Sequence, residues 1–325
     1  WNGARGFTAT SGPGISLMSE FLGLAYFAEV PLVIFNIQRG GPSTGMPTRT
    51  QQSDILSCAY ASHGDTKHVL LFPVDPQECF EFSAEAFNLA ERLQTPVFVI
   101  SDLDIGMNDW VTDKFEWDDE QKYDRGKVLK AEDLDKMDNF GRYLDVDDDG
   151  ICYRTYPGTH PEKGAFFTRG TSHDEYARYT ENGDINEQTL TRLVKKFRTA
   201  SELVPDPIIN LSEKQGSSGV IFYGSTSAAM YEAKDILNEN NIEVDLMRIR
   251  SFPFNLDVWE FIENHDLIYV IEQNRDSQMR TLIMAEGGIS AEKLRSLVWF
   301  NGDPIQAKFI AKKIYERESQ QALIT

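Results

Sequence analysis

Apolar residues fall into two blocks of short runs separated by stretches with helical spacing. In the first block, residues 5–9, 30–37, 68–72 and 97–101 have the length and β-branched content of buried strands. Between them, residues 15–28 and 76–93 place apolar side chains three and four apart, as one face of a helix does. The second block repeats the alternation, with strands predicted at 220–223, 243–249, 267–271 and 297–300 and a closing helix over 304–317. Strands separated by helices predict parallel sheets with helices on both faces, so the fold class is α/β, doubly wound. Asn186 is the expected cap of a linker helix reaching about Val204, where Pro205 and Pro207 stop it. The pattern divides the chain into 1–110, 111–215 and 216–325.

Between the blocks the pattern fails. Residues 102–150 hold seventeen acidic against seven basic side chains and few aliphatics, ten of the nineteen net negative charges, which predicts an extended, solvated excursion. Trp110, Phe115, Trp117 and Tyr123 are spaced along it, as anchors would be in an arm that lies on a surface. A net charge of −19 argues against nucleic acid and anionic membranes, which need clustered Lys and Arg. No apolar run approaches the roughly 18 residues of a membrane span. Cys58, Cys79 and Cys152 form no C-x-x-C pair, so neither a disulfide framework nor a zinc site is expected and a cytoplasmic setting is the plain reading. A [4Fe-4S] cluster takes four thiolates, so any such cluster is expected on a partner. Trp1-Asn2-Gly3-Ala4-Arg5 has neither an initiator methionine nor a signal pattern and reads as the interior of a domain.

The strongest chemical signal is Phe7-Thr8-Ala9-Thr10-Ser11-Gly12-Pro13-Gly14, which follows a predicted strand and opens a helix. Gly12 and Gly14 let the backbone turn sharply and approach a ligand, and the free N–H groups of a helix start favour polar or anionic groups. The next predicted strand delivers Arg39 at its C-terminal end, where open α/β sheets bind ligands.

The octet resembles the pyrimidine-binding turn of thiamine-diphosphate enzymes. The run from Val33 through Arg39-Gly40-Gly41-Pro42-Ser43-Thr44-Gly45-Met46-Pro47-Thr48-Arg49-Thr50-Gln51-Gln52 is similar to the alpha subunit of 2-oxoacid:ferredoxin oxidoreductases. Peptides in the arm, Asp104 to Trp110, Tyr153 to Pro161 and Gly164 to Glu175, resemble the 2-oxoglutarate type, so the likeness covers nearly the whole chain. It implies an incomplete thiamine-diphosphate pyrimidine-binding domain over 1–110, an extended acidic arm with its linker helix over 111–215, and a transketolase C-terminal-like domain over 216–325. By the resemblance Arg39 holds the substrate carboxylate, which suits a planar guanidinium. Thr48 helps place the oxo-acid head group, Thr44 is a weaker candidate, Ser43 reads as ordinary turn chemistry, and Thr10, Ser11 and Gly12 line the cofactor.

The implied reaction is oxidative decarboxylation of a 2-oxoacid, with 2-oxoglutarate favoured over pyruvate or branched 2-oxoacids, coenzyme A as acyl acceptor and ferredoxin as electron acceptor. The family's cofactor-activating glutamate is expected before Trp1. No Gly-Asp-Gly motif for magnesium and diphosphate occurs, so thiamine diphosphate with Mg2+ is expected to be shared with a beta subunit that also carries the [4Fe-4S] cluster. A self-contained thiamine-dependent decarboxylase or synthase, and a purely scaffolding subunit, are the alternatives.

Other motifs read as structural. Ser225 and Thr226 open a helix and are expected to cap it. Asp145-Val146-Asp147-Asp148-Asp149-Gly150 begins like a calcium loop, but its twelfth position is Tyr156, so an acidic turn is expected. His160 and His173 are isolated and read as hydrogen-bonded structural residues.

Overall fold

The computed structural model describes residues 1–212 and 218–321. The first sheet is built from β1 (Phe7–Thr10), β2 (Leu32–Gln38), β3 (Val69–Leu71) and β4 (Pro96–Asp102), all parallel. Around it lie α1 (Gly12–Leu17), α2 (Ser19–Phe27), α3 (Ile55–Ala59) and α4 (Pro76–Leu93). α4 shows why such segments are helical: Asp75 accepts the Glu78 N–H at 2.8 Å, Pro76 opens the first turn, and Gln94 closes it in the left-handed region at φ 52°. The single helix expected over 15–28 is two helices, interrupted at Met18.

From α5 (Leu103–Met107) the chain runs irregularly through α6 (Ala131–Asp135) to α7 (Gly183–Ala200). The stretch around 109–122 is exposed, as its charge predicts, and Phe115 stacks on Phe80 of α4 with ring centroids 5.1 Å apart. Farther on the arm sinks into the fold. Glu91 of α4 takes Arg5 at 2.8 Å, Arg125 at 2.7 Å and Arg154 at 3.4 Å. Glu29, after α2, takes Lys196 at 2.8 Å and Arg192 at 3.1 Å, and its carbonyl accepts Arg142 Nη2 at 2.9 Å. The linker helix begins earlier than expected because Asn182, not Asn186, accepts the N–H groups of Asp184 and Ile185.

The second sheet has β5 (Ile208–Asn210), β6 (Ser218–Tyr223), β7 (Asp245–Ile249), β9 (Leu267–Glu272) and β10 (Leu294–Val298) in the order β10-β9-β6-β7-β5, with β5 antiparallel. The strand expected at 297–300 starts three residues earlier. β8 (Ser251–Phe252) leaves this sheet and pairs antiparallel with β3, completing the first sheet in the order β1-β2-β4-β3-β8. α8 (Thr226–Glu239), α9 (Leu256–Glu263), α10 (Gln278–Gly287) and α11 (Ala307–Gln321) cover the second sheet.

One hydrophobic core is common to both sheets. Ile34, Leu70 and Phe98 of the first share it with Ile221, Met247 and Val270 of the second, while separate clusters fill the outer faces under α4 and under α8 and α11. Packing therefore fixes the C-terminal ends of β1, β2 and β4 against those of β6 and β9.

Candidate functional site

At that seam β1 ends on Thr10 and turns directly into α1. Two glycines make the turn possible: a Cβ on Gly14 would lie 1.8 Å from Thr10 Oγ1, and one on Gly12 would lie 2.8 Å from an Asp54 carboxylate oxygen. Ser11 holds the cap position with extended backbone, yet its hydroxyl makes no capping bond. β2 interrupts its apolar run with Asn36 and Gln38, both buried and two apart on one face. Asn36 Nδ2 donates to Asp54 Oδ2 at 3.1 Å, and Gln38 Oε1 accepts the Asp54 N–H at 2.9 Å.

Arg39 follows and lines a cleft of about 750 Å³. Its Nε is buried without a hydrogen-bond partner. Gly12, Ser16, Pro42, Ser43, Met46 and Asp54 complete the first-sheet side; Asn274, Arg275, Asp276, Gln278 and Phe300 form the opposing wall. The cleft is thus apolar in patches, with a guanidinium on each wall. Arg275 is paired with its neighbour Asp276 at 2.7 Å at the exposed rim.

The seam is held by buried polar groups. Gln52 exchanges backbone and side-chain bonds with Gln273, its N–H reaching the Gln273 carbonyl at 2.8 Å and its Oε1 accepting the Gln273 N–H at 3.1 Å. Asn274 Nδ2 donates to the Gln52 carbonyl at 2.9 Å. Burial pushes the carboxyls of Asp54, Asp102 and Glu272 above their usual range, in Asp54 against the Asn36 bond, the Gly12 N–H and the Arg39 charge.

Of the residues expected at the site, Arg39, Ser43 and the Thr10-Ser11-Gly12 turn come together at this edge, with Gly12, Arg39 and Ser43 in the cleft wall. Thr44 and Thr48 stand exposed on the 40–50 loop and are outside the lining. That loop is pinned from the second sheet's side, where Arg49 pairs with Asp303 at 3.0 Å and Met46 packs on Gly302. The capping expected of Ser225 and Thr226 is not what the structure shows. Ser225 Oγ donates to Asp102 Oδ2 at 2.6 Å and Thr226 Oγ1 to Gln52 Oε1 at 3.2 Å, so both hydroxyls serve the seam. Sequence reasoning passed over Asp54, Gln52, Asp102 and Asn274; the signal was the pair of amides inside apolar β2.

The acidic loop is an ordinary closed turn. Asp145 accepts the N–H groups of Asp149 and Gly150, Lys127 bonds Asp147 at 2.7 Å and Asp149 at 2.8 Å, and Lys195 bonds Asp145 and Asp148. His160 accepts the Glu162 and Lys163 N–H groups, and His173 is buried beside Tyr143. A second hollow of about 790 Å³ lies between the arm and α7, and two of its three cations, Arg192 and Lys195, are already paired. Among the described residues no three His, Cys, Asp or Glu side chains converge on a metal position, and no helix is long and apolar enough to cross a membrane.

Residues 1–199 match the model of the pyruvate flavodoxin/ferredoxin oxidoreductase thiamine-diphosphate-binding domain. The chain is 32% identical over 332 residues to the alpha subunit of 2-oxoacid:ferredoxin oxidoreductase 2 of Aeropyrum pernix, covering 99% of this chain and 50% of that one. It is 35% identical over 270 residues to the 2-oxoglutarate synthase subunit KorA of Methanocaldococcus jannaschii, covering 79% and 67%. It also superimposes on the 2-oxoglutarate:ferredoxin oxidoreductase of Magnetococcus marinus, solved with 2-oxoglutarate, coenzyme A and succinyl-CoA bound, with a TM-score of 0.85 and 27% identity over 97% of this chain and 53% of that one. The chain therefore spans about half the length of several relatives it matches.

Proposed function

Because the chain belongs to the 2-oxoacid:ferredoxin oxidoreductase family as an alpha subunit, we propose that it forms one wall of a thiamine-diphosphate site for oxidative decarboxylation of 2-oxoglutarate. The observation that carries this reading is Arg39, projecting from a strand end into the cleft with a buried Nε that nothing satisfies. An orphaned buried guanidinium N–H is costly, and a carboxylate arriving as a two-pronged acceptor removes the cost. Arg275 is on the opposite wall, and a substrate's second carboxylate would replace Asp276 as its partner at the exposed rim, which favours 2-oxoglutarate over pyruvate.

The chain's residues fit the pyrimidine side of thiamine diphosphate. The Gly12 turn brings backbone into the cleft wall with the Asp54 carboxylate packed against it, and Ser11 has a hydroxyl that makes no capping bond. When bound, the cofactor supplies the carbon nucleophile and the electron sink that decarboxylation needs. This chain's part is to bind and orient. Arg39 takes the carboxylate beside the oxo group, Thr10, Ser11 and Gly12 contact the cofactor, and Thr48 reaches the head group from its exposed loop when the beta subunit is in place. In this proposal Mg2+, the diphosphate and a [4Fe-4S] cluster are held by a beta subunit. Electrons pass singly to ferredoxin, and coenzyme A takes the succinyl group. The setting proposed is cytoplasmic.

The test is Arg39→Ala in the full-length complex with its beta subunit. Ferredoxin reduction by 2-oxoglutarate is expected to vanish while assembly persists. Retained turnover would leave a scaffolding role.

A further inference from the structure

We propose that Asp54 is a positioning residue which locks the cofactor-facing Gly12 turn to the substrate-facing Arg39, so that the two halves of the site are set by one carboxylate. This rests on the reaction proposed above and adds a residue to it.

The sequence position of Asp54 gives it another task. It stands at the cap of α3, where an aspartate normally accepts N–H groups of its own helix, yet it makes no side-chain capping bond. Its carboxylate turns to the cleft instead. Oδ2 accepts Asn36 Nδ2 at 3.1 Å, the Gly12 backbone lies against the same carboxylate, and the Arg39 charge acts on it by favouring its ionised form. The backbone is fixed as well, since the Asp54 N–H is held by Gln38 Oε1 at 2.9 Å. Both amides come from β2, the strand that ends in Arg39. The carboxylate thus joins three separated pieces of chain: the turn after β1, the end of β2 and the start of α3.

The fit is close enough to exclude a side chain at the turn. A Cβ on Gly12 would lie 2.8 Å and 3.0 Å from the two Asp54 oxygens. Gly12 is therefore required by Asp54 as much as by a ligand. Burial raises the Asp54 pKa, and the Asn36 bond, the Gly12 N–H and the Arg39 charge oppose that rise by favouring the carboxylate. A carboxylate present only for folding would sit in a closed cluster; this one lines the cleft, beside a guanidinium whose Nε is unsatisfied.

The experiment uses the assembled complex carrying Asp54→Asn, which keeps the size and one oxygen but removes the charge. The expected result is a KM for 2-oxoglutarate and a Kd for thiamine diphosphate each raised about tenfold or more by misplacement of Arg39 and the turn, with kcat at saturation within about threefold. Asp54→Glu, which restores the charge, is expected to recover part of both. Unchanged KM and Kd overturn the inference, and so does a loss confined to kcat. Gly12→Ala supplies a second reading that holds even if one variant assembles poorly. It is expected to weaken cofactor binding more in the Asp54 background than in Asp54→Ala, where the added methyl has room; equal weakening in both overturns the contact. If the wild-type complex fails to reduce ferredoxin with any 2-oxoacid, the proposed reaction fails. Cofactor titration of Asp54→Asn then decides the positioning role separately.

Discussion

Two carboxylates, one buried and one half-buried, tie distant parts of this chain together, and they do it in opposite ways. Glu29 is fully buried and closed: Arg192 and Lys196 reach its oxygens and Arg142 its carbonyl. Burial raises its pKa, but the two cations outweigh burial and hold it well below the ordinary carboxylate range. Asp54 has neutral donors, its pKa is pushed up, and the arginine whose charge opposes that rise keeps a buried, unsatisfied Nε. A closed charge cluster fastens the fold; an open one leaves a group for something else to satisfy. An orphaned N–H alone does not distinguish them, since Arg142 beside Glu29 also buries Nε and Nη1 without partners; the difference is that Arg39 and Asp54 line a cleft.

The largest expected effect lies on the structural side. Glu29→Gln strands two buried cations and is expected to destabilise the protein by about 3–5 kcal/mol, read as a fall in Tm, while kcat of the surviving complex stays near wild type. The pH dependence follows from the same pairing. With a folded pKa below the unfolded one, the Glu29 contribution is present above the unfolded value of about 4.3 and is lost as pH falls below it. Acid unfolding of Glu29→Gln is therefore expected to show a shallower loss of Tm between about pH 5 and 3 than wild type.

On the open side, effects fall on binding and spare stability. Arg39→Lys keeps the charge but loses the fork, so KM for 2-oxoglutarate is expected to rise about ten- to a hundredfold with Tm unchanged. A matching fall in Tm would mean that Arg39 belongs with Glu29 as a structural charge. Arg275→Ala is expected to raise KM for 2-oxoglutarate about tenfold while leaving any activity on pyruvate untouched. The smallest effect is at the exposed Arg49 to Asp303 pair, where Arg49→Ala is expected to cost under about 1 kcal/mol.

The order of strands and helices was legible because burial on both faces writes continuous apolar runs, as in β4 and β6. Arg39 and the Gly12 turn were legible because strand-end position and glycine chemistry are local. Asp54 was not, since its meaning depends on a contact with Gly12 that exists only after α3 has packed beside the turn. Ser225 shows the same limit from the other side. A hydroxyl at a helix start has a sufficient local explanation, and only the neighbouring sheet reveals that it bonds Asp102 instead. The start of α7 was misplaced for a simpler reason: Asn182 and Asn186 are equally good caps by residue type, and tertiary packing chose the earlier one.

Because β8 returns from the far half of the chain to border β3, the ribosome releases the first four strands long before the piece that shields their open edge. Until Phe252 emerges, that edge offers unpaired backbone groups to any neighbouring nascent chain. Biogenesis of this subunit therefore carries an aggregation hazard that its finished form conceals, and slowing translation within 72–250 would lengthen that window.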